Sequence, residues 1–264
     1  MTLDTWVGLI VLAILFLLEG RRPFDTGRRH RLRHGARNLS LALVSGLVGA
    51  AMTPLLVLSM TVADGHGWGL RHWLGLEGWP GIVTVLVLFD LWMYLWHRAN
   101  HRVAWLWRLH RVHHTDTAMD TTTALRFHPG EILLSSLANG AVLAMLGMTL
   151  HAFVVYKAVM VAVILFHHSN VSVPTRLDRI FGVLLVPPSM HRVHHSEQRN
   201  ETDSNYGTIF SVWDRVFRSF RSRADQHAIR FGIGQFGDDG WQRPLRLFLL
   251  PLVSDHSIQT EAQR

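Results

Sequence analysis

Five apolar stretches constrain this chain more than any other feature. They cover about residues 5–18, 39–62, 81–96, 132–150 and 153–166, and roughly 20 apolar residues in a helix cross a bilayer core. Some runs reach that length and others fall short, which predicts a multi-pass helical bundle with some helices tilted or partly inserted. A soluble all-α protein with buried core helices is the competing reading. It fails because only 17% of the residues are charged, too few to cover five such helices in water. The first run has no basic segment before it and no small-residue cleavage site behind it, and it ends at Glu19-Gly20-Arg21-Arg22-Pro23. It reads as a retained anchor, not a signal peptide.

Charge sets the expected orientation, because short loops rich in Lys and Arg stay in the cytoplasm. The segment from Arg21 to Arg37 holds seven Arg and a single acid, Asp25, and is expected to be a cytoplasmic loop. The next connection, Ala63 to Pro80, has one Arg, one Asp and one Glu and is expected outside. The third run then returns the chain to the cytoplasm where His97 begins, and a hairpin from Ile132 to Phe166 returns it again at His167-His168. The net charge of +7 suits anionic headgroups; without an interleaved aromatic-basic module, no nucleic acid is expected as a partner. The use of Arg over Lys (Lys157 is the one lysine) fits a GC-rich bacterial genome and thus a bacterial inner membrane.

The chain has no Cys, which excludes disulfides, thiolate zinc sites, iron–sulfur clusters and thiol nucleophiles together. It has 18 His, and imidazole is the commonest protein metal ligand. Three stretches concentrate them: His97-Arg98-Ala99-Asn100-His101, His110-Arg111-Val112-His113-His114 and His191-Arg192-Val193-His194-His195. The last two are the same pentapeptide.

Residues three and four apart share a helix face, so the i, i+4 pair His97 and His101 can hold one metal. Within the pentapeptide the adjacent histidines diverge by about 100°, enough to address two neighbouring ions. Eight imidazoles exceed what one ion accepts and point to a two-metal cluster. Imidazole suits several metals, but zinc settles for four ligands, so iron at higher coordination fits the count better. His168 ends the last apolar run before Ser169-Asn170 and is placed to complete the set. Ligation is left open for His167 and for His128, which lies at a helix start ahead of Pro129. Asp90, Asp116, Glu131, Glu197 and Asp203 are the acids near the boxes available to orient ligand imidazoles. The isolated His30, His34, His66, His72, His227 and His256 read as ordinary interfacial or satisfied histidines. Trp92, Trp96, Trp105 and Trp107 read better as an interfacial belt than as the lining of a substrate route.

The order HxxxH, HxxHH, a single His before Ser-Asn and a final HxxHH resembles the fatty acid hydroxylase and sterol desaturase superfamily of integral-membrane histidine-box diiron oxygenases. Arg126-Phe127-His128-Pro129, Asn205-Tyr206-Gly207 and Trp213-Asp214-Arg215 add to the likeness, which covers roughly Asp90 to Phe217. The first box has three residues between its histidines where some relatives have four. The resemblance implies an all-α, multi-pass transmembrane helical bundle whose cytoplasmic helical cap holds a histidine-rich dimetal site. It implies two Fe ions carried by His97, His101, His110, His113, His114, His168, His191, His194 and His195. The implied reaction hydroxylates or desaturates a lipid drawn from the bilayer, with O2 as co-substrate and electrons from an external donor. On this reading residues 1–89 are anchor helices with a basic loop, 90–220 the catalytic domain and 221–264 a C-terminal cytoplasmic tail.

Two other functions compete. A histidine-rich metal transporter would carry ionisable residues within its spans, whereas here they gather at the ends apart from Asp90. A membrane metal-hydrolase would need a carboxylate base at HExxH spacing, which is absent.

Overall fold

The structure is a computed structural model that describes residues 2–28 and 30–254. The described residues form twelve helices in order: α1 (Leu3–Arg21), α2 (Arg31–Gly65), α3 (Leu70–Trp73), α4 (Gly78–Arg102), α5 (Ala104–His114), α6 (Pro129–Leu146), α7 (Leu150–His168), α8 (Thr175–Leu184), α9 (Pro188–His194), α10 (Arg199–Thr202), α11 (Val212–Val216) and α12 (Pro244–Leu249). Short 3-10 turns lie at Thr121–Leu125 and Leu250–Leu252. Among the described residues there is no strand, only isolated bridges.

Among the described residues, five helices are long and apolar enough to cross a membrane: α1, α2 continued into α3, α4, α6 and α7. Their outer faces carry exposed Leu9, Ile10, Ile14, Leu43, Leu47 and Val83, surface that would be a liability in water and is at home against acyl chains.

The helices pair where small residues allow close approach. Gly8 of α1 leaves room for Val161 of α7, and Gly140 of α6 for Leu56 of α2. Both ends of the α1–α7 pair are also clipped by charge. At one end Lys157 Nζ lies 2.8 Å from Asp4 Oδ2; at the other, buried Glu19 accepts hydrogen bonds from the Thr121 and Asn170 amides and from Arg31. Trp92 and Trp96 stack on α4 and donate to Asn139 and Ser135 of α6, so these two tryptophans join helices rather than simply marking a bilayer surface. Phe89, Leu143, Met148, Ala152 and Tyr156 fill the centre of the bundle.

The predicted hairpin is α6 and α7, turned by Gly147 at φ 69°, a left-handed position that glycine takes without strain. The basic segment Arg21 to Arg37 differs from the expected loop, because α2 begins at Arg31 and runs for 35 residues. The physical reason is tertiary. His34 and Asn38, one turn apart, bond to Asp116, Asp120 and Thr122 and hold this first part of the helix against the loop after α5.

The segment expected as a tail packs back on the cap as far as Ser254, while His256 lies outside the described residues. Phe236, Leu247 and Leu250 form a small core with Leu41 of α2 and Val112 of α5. Arg111 donates to the carbonyls of Leu250 and Val253. Fully buried Arg126 donates to Val112 O, Asn38 Oδ1, Thr115 Oγ1 and Gln242 Oε1, joining α2, α5 and the C-terminal segment at one point. Arg126→Ala would leave all four acceptors facing a buried void. It should destabilise the protein by about 3 kcal/mol or more through acceptors left unsatisfied, read as a lower thermal midpoint in detergent, and Arg126→Lys should recover only part of the loss.

Candidate metal centre

Four helix ends deliver nine histidines to one place. His97 and His101 stand one turn apart on the last turns of α4; His110, His113 and His114 close α5; His168 ends α7; His191 and His194 lie on α9 with His195 as its C-cap. The extended residue Val103 separates α4 from α5 and lets both present histidines to a common centre. All but the partly buried His97 are buried.

The nine fall into two groups able to hold a metal ion. His97, His101, His110, His114 and His194 form one; His113, His168, His191 and His195 form the other. Within each group the ligand atoms lie within 4.8 Å of one another. The adjacent histidines of each pentapeptide divide between the groups: the His113 and His114 rings stand at 90°, those of His194 and His195 at 82°. The two boxes are used in opposite senses. The first sends its i, i+4 pair, His110 and His114, to one group and His113 to the other. The second sends His191 and His195 to the latter group and His194 to the former.

The inward nitrogens lie at spacings that suit ligation of a shared ion, and pairs of them are within hydrogen-bond distance of each other. His110 Nε2 lies 3.2 Å from His114 Nε2, and His168 Nε2 lies 3.1 Å from His113 Nε2 and 2.9 Å from His191 Nε2. Metal–imidazole bonds of about 2.1 Å set at right angles place two ligand nitrogens about 3 Å apart. Nε2 of His97, His101, His194 and His195 is buried with no hydrogen-bond partner, a costly state that a metal ion would relieve. Burial, reinforced by the neighbouring imidazoles, pushes His113, His114, His191 and His195 well below the ordinary histidine range. Burial likewise brings His194 down to about 3. These rings are therefore neutral at physiological pH, the form that ligates.

Four of the nine outward nitrogens are fixed by the fold. His97 Nδ1 donates to Tyr206 O (2.9 Å), His194 Nδ1 to Ser204 O (2.7 Å) and His168 Nδ1 to Ile164 O (2.8 Å), while His110 Nδ1 meets Glu131 Oε1 at 2.7 Å. Asp203 Oδ1 stands 3.4 Å from His101 Nδ1. The four hydrogen bonds select the tautomer that leaves Nε2 free, while His101 and Asp203 approach without a hydrogen bond.

The remaining acids near the boxes have other work. Asp90 accepts from Tyr156, Trp213 and the amides of Ile209 and Phe210, and Glu197 is exposed. Asp116 meets both His34 and Thr123. Burial alone would raise its carboxyl, but His34 and Arg126 hold it well below the carboxylate range.

His128 lies outside the cluster with both ring nitrogens engaged: Nδ1 accepts from the Gly130 amide as the N-cap of α6, and Nε2 donates to Phe248 O. His167 stacks on His191 with ring centroids 3.9 Å apart and belongs to neither group. Among the isolated histidines, His72 pairs with Asp64, and His66 and His227 stack on Trp68 and Phe24. Trp107 is buried against His101 and His114, whereas Trp105 is exposed.

Asp214, which the sequence offered only within the Trp213-Asp214-Arg215 likeness and without a role, has a defined place in the structure. Its carboxylate accepts from the Tyr206 and Gly207 amides and from Ser219, fixing the loop that presents Ser204 O and Tyr206 O to two box histidines. A Cβ on Gly207 would meet Asp214 Oδ2 at 2.9 Å and Phe210 O at 2.8 Å, which explains why glycine stands there. The signal was the Asn205-Tyr206-Gly207 turn followed at short range by Asp214, but no periodicity shows that the two meet.

With this geometry in place, comparison with known proteins is informative. Residues 82–219 match the sequence model of the fatty acid hydroxylase family. The chain is 31% identical over 241 residues to an ornithine lipid hydroxylase of Rhizobium tropici, covering 86% of this chain and 70% of that one. It is 32% identical over 146 residues to an alkylglycerol monooxygenase of Caenorhabditis elegans, covering 55% of this chain but 27% of that protein. It is 24% identical over 169 residues to a cholesterol 25-hydroxylase of Rattus norvegicus, covering 63% of this chain and 55% of that one. No solved structure matches. The family match spans every box from His97 to His195 and the Asp214 loop that holds them, and the chain belongs to the fatty acid hydroxylase family.

Proposed function

We propose that this protein is a membrane-bound diiron oxygenase that hydroxylates a lipid: R–H, O2, two electrons and two protons give R–OH and water. The observation that carries the reading is the pair of adjacent, buried imidazole groups at the ends of membrane-length helices. Iron fits them by donor chemistry, since nine nitrogens allow higher coordination than zinc ordinarily takes. Bound there, iron supplies the O2 reduction and C–H oxidation that no side chain supplies alone.

The chain's own residues prepare the site. His97, His101, His110, His114 and His194 would hold one ion, and His113, His168, His191 and His195 the other. Glu131 and the carbonyls of Ile164, Ser204 and Tyr206 keep the imidazoles in the ligating tautomer. Trp107 and the surrounding buried side chains keep bulk water from a reactive site. The relatives named above are hydroxylases and a monooxygenase, which supports hydroxylation over desaturation. Electrons are supplied by an external donor, and the seven-Arg segment supports a cytoplasmic position for the cluster. A transport role is less well supported, because Asp90 and Lys157 are engaged with Tyr156 and Asp4 and not free along a path.

Comparing lipids from membranes with and without the protein should show a lipid that gains one oxygen atom, and purified protein should carry two Fe per chain. Full activity with stoichiometric zinc and no iron would refute the reading. His113→Ala and His194→Ala should each lose metal and nearly all turnover yet still reach the membrane. His66→Ala, about 30 Å of hydrocarbon away, should keep turnover within a few fold. Glu131→Gln should weaken metal binding by about 10- to 100-fold, measured by chelator competition. A reporter fused after Ser196 should be active only on the cytoplasmic side; activity confined to the outer compartment would reverse the topology.

A further inference from the structure

A polar cleft of ≈ 780 Å³ opens beside the cluster, lined by Arg102, Gln198, Arg199, Asn200, Asp203 and Arg221. None of the six is apolar, so the cleft does not suit an acyl chain. Three guanidinium groups face one carboxylate there. Arg199 is already committed: it bonds Asp203 Oδ2 at 2.9 Å, reaches His101 O at 3.3 Å and lies over the Trp107 ring. Arg221 is held only by its backbone, whose amide and carbonyl bond to the buried side chain of Asn205. Its own side chain is exposed and makes no hydrogen bond or ion pair within the described residues. Arg102 lies beside the Tyr206 hydroxyl. The cleft therefore carries uncompensated positive charge in planar forks, the geometry that grips phosphate or carboxylate.

Its position says which anion. Arg102 is the last residue of α4, a membrane-length helix, and Val103 and Trp105 just beyond it are exposed; Trp at such a place marks headgroup depth. Asp203, which lines the cleft, stands beside His101. We propose that the cleft binds the anionic headgroup of a membrane lipid, with Arg102 and Arg221 as its specificity-determining residues, while the lipid's chain reaches the metal centre. This rests on the lipid-oxidising reading above. An open depression lined by six polar residues suits a headgroup better than an acidic protein, whose interface needs a larger area with apolar anchors.

The test is a titration of the full-length, metal-loaded protein in neutral detergent with short-chain phosphatidic acid, short-chain phosphatidylcholine, inorganic phosphate and polyglutamate, read by thermal midpoint. Phosphatidic acid should bind saturably and at least about tenfold more tightly than the other three. Arg221→Ala and Arg102→Ala should each weaken it by about tenfold or more, Arg221→Lys by less, and Arg108→Ala, outside the cleft, not at all. The two alanine variants sit on different segments, and metal content checks the integrity of each. Equal binding of phosphatidylcholine, or no effect of either alanine variant, overturns the proposal. Inorganic phosphate binding as tightly as the lipid makes this a free-anion site instead, and tighter polyglutamate binding makes it a protein-docking patch. If the binding pattern holds but no lipid is oxidised, only the oxygenase reading falls. If lipid is oxidised with KM unchanged by Arg221→Ala, only the headgroup cleft falls.

Discussion

Nine imidazoles removed from water and aimed at each other make an arrangement that the polypeptide cannot satisfy by itself. Nε2 of His97, His101, His194 and His195 is buried with no hydrogen-bond partner, and burial opposes the charged form that could ease this. The surrounding structure is organised around keeping the rings neutral and pointing inward. Hence the backbone carbonyls of Ile164, Ser204 and Tyr206 and the Glu131 carboxylate stand behind four of the nine rings. The Asn205-Tyr206-Gly207 loop, pinned by Asp214, is as much part of the site as the boxes.

That requirement also accounts for the two identical pentapeptides taking opposite parts. On one helix, i and i+4 lie on a common face while i+3 turns about 60° away from i, and the neighbours i+3 and i+4 diverge. Each box thus gives two rings to one side and one to the other. Two copies approaching from different helices complement each other, with His97 and His101 completing the larger group and His168 the smaller. A single box could not build either group, so helices far apart in the chain must meet at one point.

Bracing at that point comes from segments that look peripheral. The start of α2 reaches the loop after α5 through His34 and Asn38, and the chain beyond residue 228 wraps α5 through Arg111, Gln242 and Leu250. Arg126 ties both to the His110–His114 box by donating to Val112 O and Thr115. The basic residues therefore do two kinds of work. Some stay on the surface, where membrane charge acts on them, and others are buried to fix the histidine helices.

The sequence by itself determined the class of the molecule and the residue types at its centre. Apolar run length and sparse charge required membrane-length helices, and period and spacing alone made the adjacent histidines of each box diverge, because helical geometry is local. It also put the ends of those runs next to the boxes. It could not say that His113 joins His168 while His114 joins His101, since that depends on how separate helices approach. Nor could it tell His128 and His167 from the nine; only packing shows one capping α6 with both nitrogens bonded and the other stacked on His191. The same holds for Glu131 among five nearby acids, for α2 beginning at Arg31 instead of beyond a loop, and for the C-terminal segment folding back. Each depends on a partner distant in sequence, and pairings of that kind leave no periodic trace in the chain.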